Sequence, residues 1–198
     1  MCRLLESIKI TASGVENLER HNERLNASRL EIFGLENQLD LSAFVQSPPL
    51  TGEEIIKCRV IYAEEVIKIE YISYCKKDIK TLKVVYDDEV NYAFKFEDRS
   101  HLNRLYGLKG ECDDVLIIKD GMVTDFSYGN IVFYDGNQWI TPGQPLLAGT
   151  MRAELIKSGR IVEKNVTPDD LNQYQSFKLI NALLGFDEPE RPMENIIR

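Results

Sequence analysis

The run Asp120-Gly-Met-Val-Thr-Asp-Phe-Ser-Tyr-Gly-Asn-Ile-Val-Phe-Tyr-Asp-Gly136, followed by Leu147-Ala-Gly-Thr-Met-Arg152, constrains this chain more than any other feature. It reads as two strands around a polar turn, then a helix opened by Gly149. Asp125 falls at the end of the first strand, so its carboxylate is carried to the strand's edge. The helix beginning at Gly149, Thr150 and Met151 offers unpaired amides and a partial positive charge, the common physical means of holding a phosphate. A carboxylate and a helix N-terminus together suit a ligand that carries both a basic ring nitrogen and a phosphate.

Composition narrows the classes. With 198 residues and 43% hydrophobic content, the chain can build one sizeable core or two small ones. A formal net charge of −8 argues against a nucleic-acid partner, because phosphate backbones reward clustered Lys and Arg. Cys2, Cys58, Cys75 and Cys112 are widely spaced and the chain has only 2 histidines, so no metal site is expected and the thiols read as reduced, as in cytoplasm. The N-terminus runs straight into an alternating strand, leaving no room for a signal peptide. No apolar run approaches the ~20 residues needed to span a membrane.

Along the chain, Leu4–Thr11 alternates as a strand, and Leu18, His21, Leu25 and Leu30 define an amphipathic helix over Glu16–Phe33, stopped at Gly34. His21 reads as a satisfied core or cap histidine. Ile55–Ala63 and Val66–Tyr74 form a hairpin, and Thr81–Tyr86 and Asn91–Phe96 two further strands. Ser100–Leu108 is helical and Val115–Ile118 a short buried strand. Asn130–Tyr134 pairs with Gln138–Thr141 across Asp135-Gly136-Asn137. Thr150–Ser158 is a helix, Ile161–Val166 a strand, Thr167–Asp170 opens another helix, and Phe177–Leu184 returns as a strand. The fold class is α+β. The division places 1–97 in a smaller N-terminal α/β domain and 98–198 in a larger C-terminal one.

These residues resemble the class IV, fold-type IV pyridoxal-phosphate enzymes: D-amino acid and branched-chain aminotransferases and 4-amino-4-deoxychorismate lyase. Val123-Thr124-Asp125, Asn130-Ile-Val-Phe133, Thr141-Pro142 and Gly149-Thr-Met-Arg152 follow the family's order. Arg20-His21-Asn22-Glu23-Arg24-Leu25 with Ser28 is similar to its Glu-His-x-x-Arg-Leu-x-x-Ser helix, and Asn181-Ala182-Leu183 to a run of the lyase branch. The resemblance implies a D-amino acid aminotransferase-like fold with the cofactor in the cleft between two domains, most of its site coming from the second. It also implies a homodimer, a small-molecule amino substrate and pyridoxal 5'-phosphate as cofactor. Arg24 becomes a phosphate ligand, with Gly149, Thr150 and Met151 on the same group. Asp125, oriented by Asn130, becomes the partner of the pyridine nitrogen, and Asn181 and Ala182 phosphate-side residues. Arg24→Ala is expected to weaken cofactor retention while leaving the fold intact.

One position departs sharply. Where relatives carry the lysine that links to the cofactor, this chain has Ser100, at the head of Ser100-His-Leu-Asn-Arg-Leu105. Serine has no amine to offer. Lys95, in Tyr92-Ala-Phe-Lys-Phe96, is the expected catalytic amine, provided that Phe96–Arg99 is a loop; Lys109, Lys83 and Lys80 are the other candidates. Asp125 is also shorter than the family's glutamate by one C–C bond, about 1.5 Å. The chain further lacks roughly two dozen residues that relatives carry before their first matching strand, which leaves the substrate pocket more open or filled differently. His101–Leu105, Met151-Arg152 and Asn181–Leu183 lean toward the lyase, which forms 4-aminobenzoate and pyruvate for folate synthesis. A D- or branched-chain amino-acid transaminase is the alternative, and a non-catalytic relative the third.

Overall fold

The computed structural model describes residues 2–198, which divide into two compact units. The first comprises residues 2–76 and Phe94–Asp98. The second comprises Lys77–Ala93 and Arg99–Arg198.

The first unit is a four-stranded sheet with one long helix. Strands β1 (Leu4–Thr11), β2 (Gly14–Val15), β3 (Ile56–Tyr62) and β4 (Val66–Ser73) lie in the order β2-β1-β3-β4, and β1 pairs antiparallel with β3. Alternation in β1 sends Leu4, Glu6, Ile8 and Ile10 to one fully buried face, so a carboxylate sits in an otherwise aliphatic row. Helix α1 (Leu18–Phe33) ends where Gly34 adopts φ 68° and donates its N–H to Leu30 O. Its inner face is unusually polar: Arg20, His21, Ser28 and Arg29 are buried beside Leu25, whereas Leu30 is exposed. Arg29 is fully buried and spends its donors on Glu64 O and Asn37 O, tying the β3–β4 turn to the helix's C-terminal end.

The second unit is built on a mixed nine-stranded sheet. Its strands are β5 (Leu82–Tyr86), β6 (Asp114–Lys119), β7 (Met122–Phe126), β8 (Gly129–Tyr134), β9 (Trp139–Pro142), β10 (Val162–Lys164), β11 (Ser176–Ile180), β12 (Arg191–Pro192) and β13 (Ile196–Ile197). Asp120-Gly121, both at positive φ, close the β6–β7 hairpin as a two-residue turn between Lys119 and Met122. Strand β8 is central: β7 and β9 pair with its two ends along one edge, and β11 runs along the other. Two short helices, α2 (Ser100–Tyr106) and α3 (Thr150–Lys157), flank the sheet. His101 on α2 contacts Asp87 just beyond β5 at 2.8 Å, anchoring the helix to that strand's end. The core combines Leu82, Leu116, Phe126, Ile131, Phe133 and Phe177.

Two expectations change here. Residues 77–93, assigned by sequence to the N-terminal domain, belong to the second unit, because β5 pairs parallel with β6 and with β13. Residues Asn91–Phe96 are not a strand. Tyr92 is buried in the second unit, whereas Phe94 and Phe96 pack into the core of the first. The alternating aromatics therefore divide between the two units instead of lining one sheet face. Phe96 N–H donates to Phe94 O at 2.9 Å, making Lys95 the middle of a three-residue turn. Lesser differences follow the same logic of local hydrogen bonding. Beyond Asp169 the expected helix is a 3-10 turn, and β11 stops at Ile180 because Asn181 bends the chain.

Candidate active site

In the second unit, Asp125 and Asn130 are a directly opposed pair on β7 and β8, so their side chains share a face. Asn130 Nδ2 donates to Asp125 Oδ1 at 2.8 Å and to Leu147 O at 2.9 Å, and Leu147 N–H donates to Asp125 Oδ2 at 3.0 Å. The three residues clamp the loop before α3 onto the β7–β8 hairpin. Gly149 closes over this clamp: a Cβ there would lie 2.1 Å from Asn130 Oδ1, so only glycine fits. Being glycine, it also brings no side-chain acceptor to the first turn of α3, whose Thr150 is buried.

Burial pushes the Asp125 carboxyl up to about 7. The amides of Leu147 and Asn130 and the charge of Arg152 oppose the shift without cancelling it. Arg152 itself is buried and bound to Pro142 O and Glu163, pinning α3 to β9 and β10. Met151 contributes its side chain to a small core with Val132, Leu155, Ile161 and Ile180. Asn181 accepts from Leu183 N–H and Leu184 N–H, both at 2.8 Å, and donates to Tyr128 O at 3.2 Å. It therefore shapes the bend after β11 and holds the β7–β8 turn. Ala182 lies in that bend, half-buried.

In the first unit, a second polar cluster forms around Glu6. Arg24 grips it with two donors, Nε to Oε1 at 2.9 Å and Nη2 to Oε2 at 2.5 Å, and His21 Nδ1 lies 2.6 Å from Oε2. Burial alone would raise the Glu6 carboxyl, but the Arg24 charge and the hydrogen bonds from His21 and Arg24 hold it at about 2. Burial keeps His21 below its ordinary value despite the Glu6 carboxylate, and the positive charges of Arg24 and Lys95 act in the same direction. His21 is thus a satisfied core histidine. Arg24 is no edge guanidinium, since it neutralises a carboxylate with no exposed surface. Removing it strands a buried charge, so the expectation that Arg24→Ala spares the fold is corrected.

Lys95 is half-buried, and its carbonyl accepts from Leu5 N–H at 2.9 Å beside Glu6. Its charge is felt at His21, which places it in the Arg24 cluster's field. Other lysine candidates are engaged elsewhere: Lys109 with Cys112 O, Lys83 with Arg198 O and Lys80 with Asp78. Ser100 opens α2. Sequence reasoning overlooked Glu6 and Leu147. Glu6 announces itself as the one charged residue in the apolar phase of Leu4–Ile10, whereas Leu147 acts through its backbone and leaves no side-chain signal.

Comparison with known proteins decides the family. The amino-transferase class IV pattern matches residues 99–186, the stretch that holds the Asp125 clamp. A crystal structure of a putative 4-amino-4-deoxychorismate lyase from Haemophilus somnus 129PT is 35% identical, with a TM-score of 0.85, covering 94% of this chain and 98% of that one. The chain belongs to the class IV aminotransferase family. An uncharacterized protein of Haemophilus influenzae is 35% identical over 187 residues, 93% of this chain and 100% of that protein. A hypothetical aminotransferase from Mycobacterium tuberculosis in its PLP-bound form shares the fold at 14% identity, with a TM-score of 0.73 over 98% of this chain and 81% of that one. This class IV member has two sheets and few helices, the mixed α/β architecture expected of the family. None of its described helices is long and apolar enough to cross a membrane.

Proposed function

We propose that this class IV protein is a pyridoxal-phosphate enzyme acting on a small amino-group substrate, and that its reaction is the 4-amino-4-deoxychorismate lyase step of folate synthesis. The Asp125 clamp carries the reading. Its carboxyl is buried and receives hydrogen bonds from neutral amides, so its ionised form lacks a cation in direct contact. A protonated ring nitrogen supplies that cation, and the first-turn amides of α3 suit the phosphate of the same molecule. When bound, pyridoxal phosphate supplies an electron-accepting ring to which an amine can be attached. The chain's own part is to hold a proton at the ring nitrogen through Asp125 and to orient that carboxylate through Asn130 and Leu147. The likeness to the putative 4-amino-4-deoxychorismate lyase of Haemophilus somnus and the Asn181-Ala182-Leu183 run favour the lyase over a transaminase.

Lys95 is proposed as the amine that joins the cofactor, being the half-buried lysine beside Glu6, His21 and Arg24. Arg24 is proposed as a phosphate ligand, as are Gly149, Thr150 and Met151; Asn181 and Ala182 are proposed to border the same group. A cytoplasmic homodimer completes the proposal, and the solution mass checks the dimer.

Incubation with pyridoxal phosphate, borohydride reduction and peptide mapping test the cofactor reading. Pyridoxyl on Lys95 is expected, whereas modification of Lys109, Lys83 or Lys80 sinks that assignment and spares the family reading. Absence of any retained cofactor argues for the non-catalytic relative. Formation of 4-aminobenzoate from aminodeoxychorismate supports the lyase; amino transfer to 2-oxoglutarate supports the transaminase. Asp125→Ala should retain cofactor and lose most turnover.

A further inference from the structure

Among the described residues, seven arginines pair with a carboxylate. Buried Arg29 instead bonds to backbone carbonyls. Arg99 does neither. It is half-buried, immediately precedes Ser100, and makes one hydrogen bond, from Nη2 to Ser127 O at 2.6 Å. Its Nε is buried without a partner, and no hydrogen bond engages Nη1. A guanidinium carries five N–H donors, and leaving a charged donor partly desolvated and unbonded costs free energy that an arriving acceptor returns. The nearby acid, Asp114, does not fill that role. Burial raises its carboxyl above the usual range, and Arg99 acts on it only weakly.

Placement adds to this. The Arg99 guanidinium lies 4.1 Å from the centre of the Tyr128 ring, and Tyr128 meets Tyr106 edge-on at 6.0 Å. Stacking on an aromatic face fixes the plane of the fork without consuming its in-plane donors. Ser127 and Tyr128 form the two-residue turn between Phe126 and Gly129, so the Arg99 fork rests on the hairpin that carries Asp125 and Asn130. Gly129 keeps that turn close to β11, since a Cβ there would lie 2.5 Å from Ile180 O.

We propose that Arg99, braced on Tyr128 beside Ser127, is a carboxylate-binding subsite that selects amino substrates bearing a carboxylate. A planar fork with open donors matches a carboxylate through two parallel hydrogen bonds. The inference rests on the proposed function only for the choice of an amino-substituted carboxylate as ligand.

Calorimetric titration of 4-aminobenzoate against its neutral isostere 4-aminobenzamide tests it, with pyridoxal-phosphate binding followed in parallel by absorbance. The wild-type chain should prefer the carboxylate by at least about tenfold, the value of one charge-assisted contact. Arg99→Gln should abolish that preference, while Arg104→Gln, which removes an exposed arginine of α2, should keep it. Arg99→Lys retains the charge without the fork and should lose most of the preference, which serves where Arg99→Gln fails to fold. Equal binding of the two ligands by wild type, or an undiminished preference in the folded Arg99 variants, overturns the subsite. A wild-type chain that prefers the carboxylate but retains no pyridoxal phosphate sinks the cofactor reading while leaving the subsite standing.

Discussion

Glu6 and Asp125 are both buried carboxyls, one in each unit, and they have opposite fates. Glu6 is held at about 2 and Asp125 is pushed up to about 7. Burial opposes charge in both. The difference is the partner: Glu6 receives the two-donor grip of Arg24, Asp125 only the neutral amides of Asn130 and Leu147. Neutral donors orient a carboxylate but do not replace the hydration it has lost; a guanidinium in contact does. One unit thus contains a completed ion pair, and the other a carboxyl poised for a cation.

The contrast breaks most severely at Arg24. Arg24→Ala should cost about 3–5 kcal/mol in urea unfolding, because it takes the guanidinium from the buried Glu6 carboxylate and leaves only His21 in contact with it. Adding Glu6→Gln should recover much of that loss. An Arg24→Ala chain within about 1 kcal/mol of wild type would show that Glu6 is not held by Arg24.

The pH dependence separates the two carboxyls by sign. Asp125 has a raised folded value, so its contribution is fully present below about 3.9, its unfolded value, and is lost as pH rises through about 7. The loss amounts to about 4 kcal/mol at most, and Asp125→Asn should flatten stability across that window. Glu6 has a depressed folded value. Its contribution is present above about 4.3 and fades as pH falls through about 2, a loss of about 3 kcal/mol that Glu6→Gln should remove. Identical pH profiles for the two single variants would refute the comparison.

A smaller effect concerns packing around the Asp125 hairpin. Gly129→Ala should cost about 1–3 kcal/mol, since its Cβ would press on Ile180 O, Asn181 and Phe126. Gly185→Ala meets nothing within 4 Å and should stay within about 0.5 kcal/mol of wild type.

Much of the second unit's site was legible in the sequence because its signals are local. Asp120-Gly121 closes a hairpin, Asp125 and Asn130 flank the two-residue turn Ser127-Tyr128, and Gly149 opens α3; each is read within a few residues. Glu6 and Arg24 meet across sequence, and an arginine on an amphipathic helix gives no hint that its partner is a core carboxylate. Strand β5 was legible as a strand but not as a member of the second sheet, because parallel pairing leaves no turn to read. Lys95 was misread as part of a strand because Tyr92, Phe94 and Phe96 alternate perfectly while dividing between the two units.

That placement of β5 has a consequence for dissecting the protein. Lys77–Ala93 interrupts the first unit, and Phe94–Asp98 then returns to it, so neither unit is one uninterrupted stretch. During synthesis, β5 emerges long before either neighbour, β6 or β13, and neither pairing can form through a tight hairpin. A fragment ending at 97 would carry Leu82 and Val84 with no sheet to bury them, and one starting at 98 would have a gap between β6 and β13. Two separately folding halves would require Lys77–Ala93 to be moved from the first gene segment to the second.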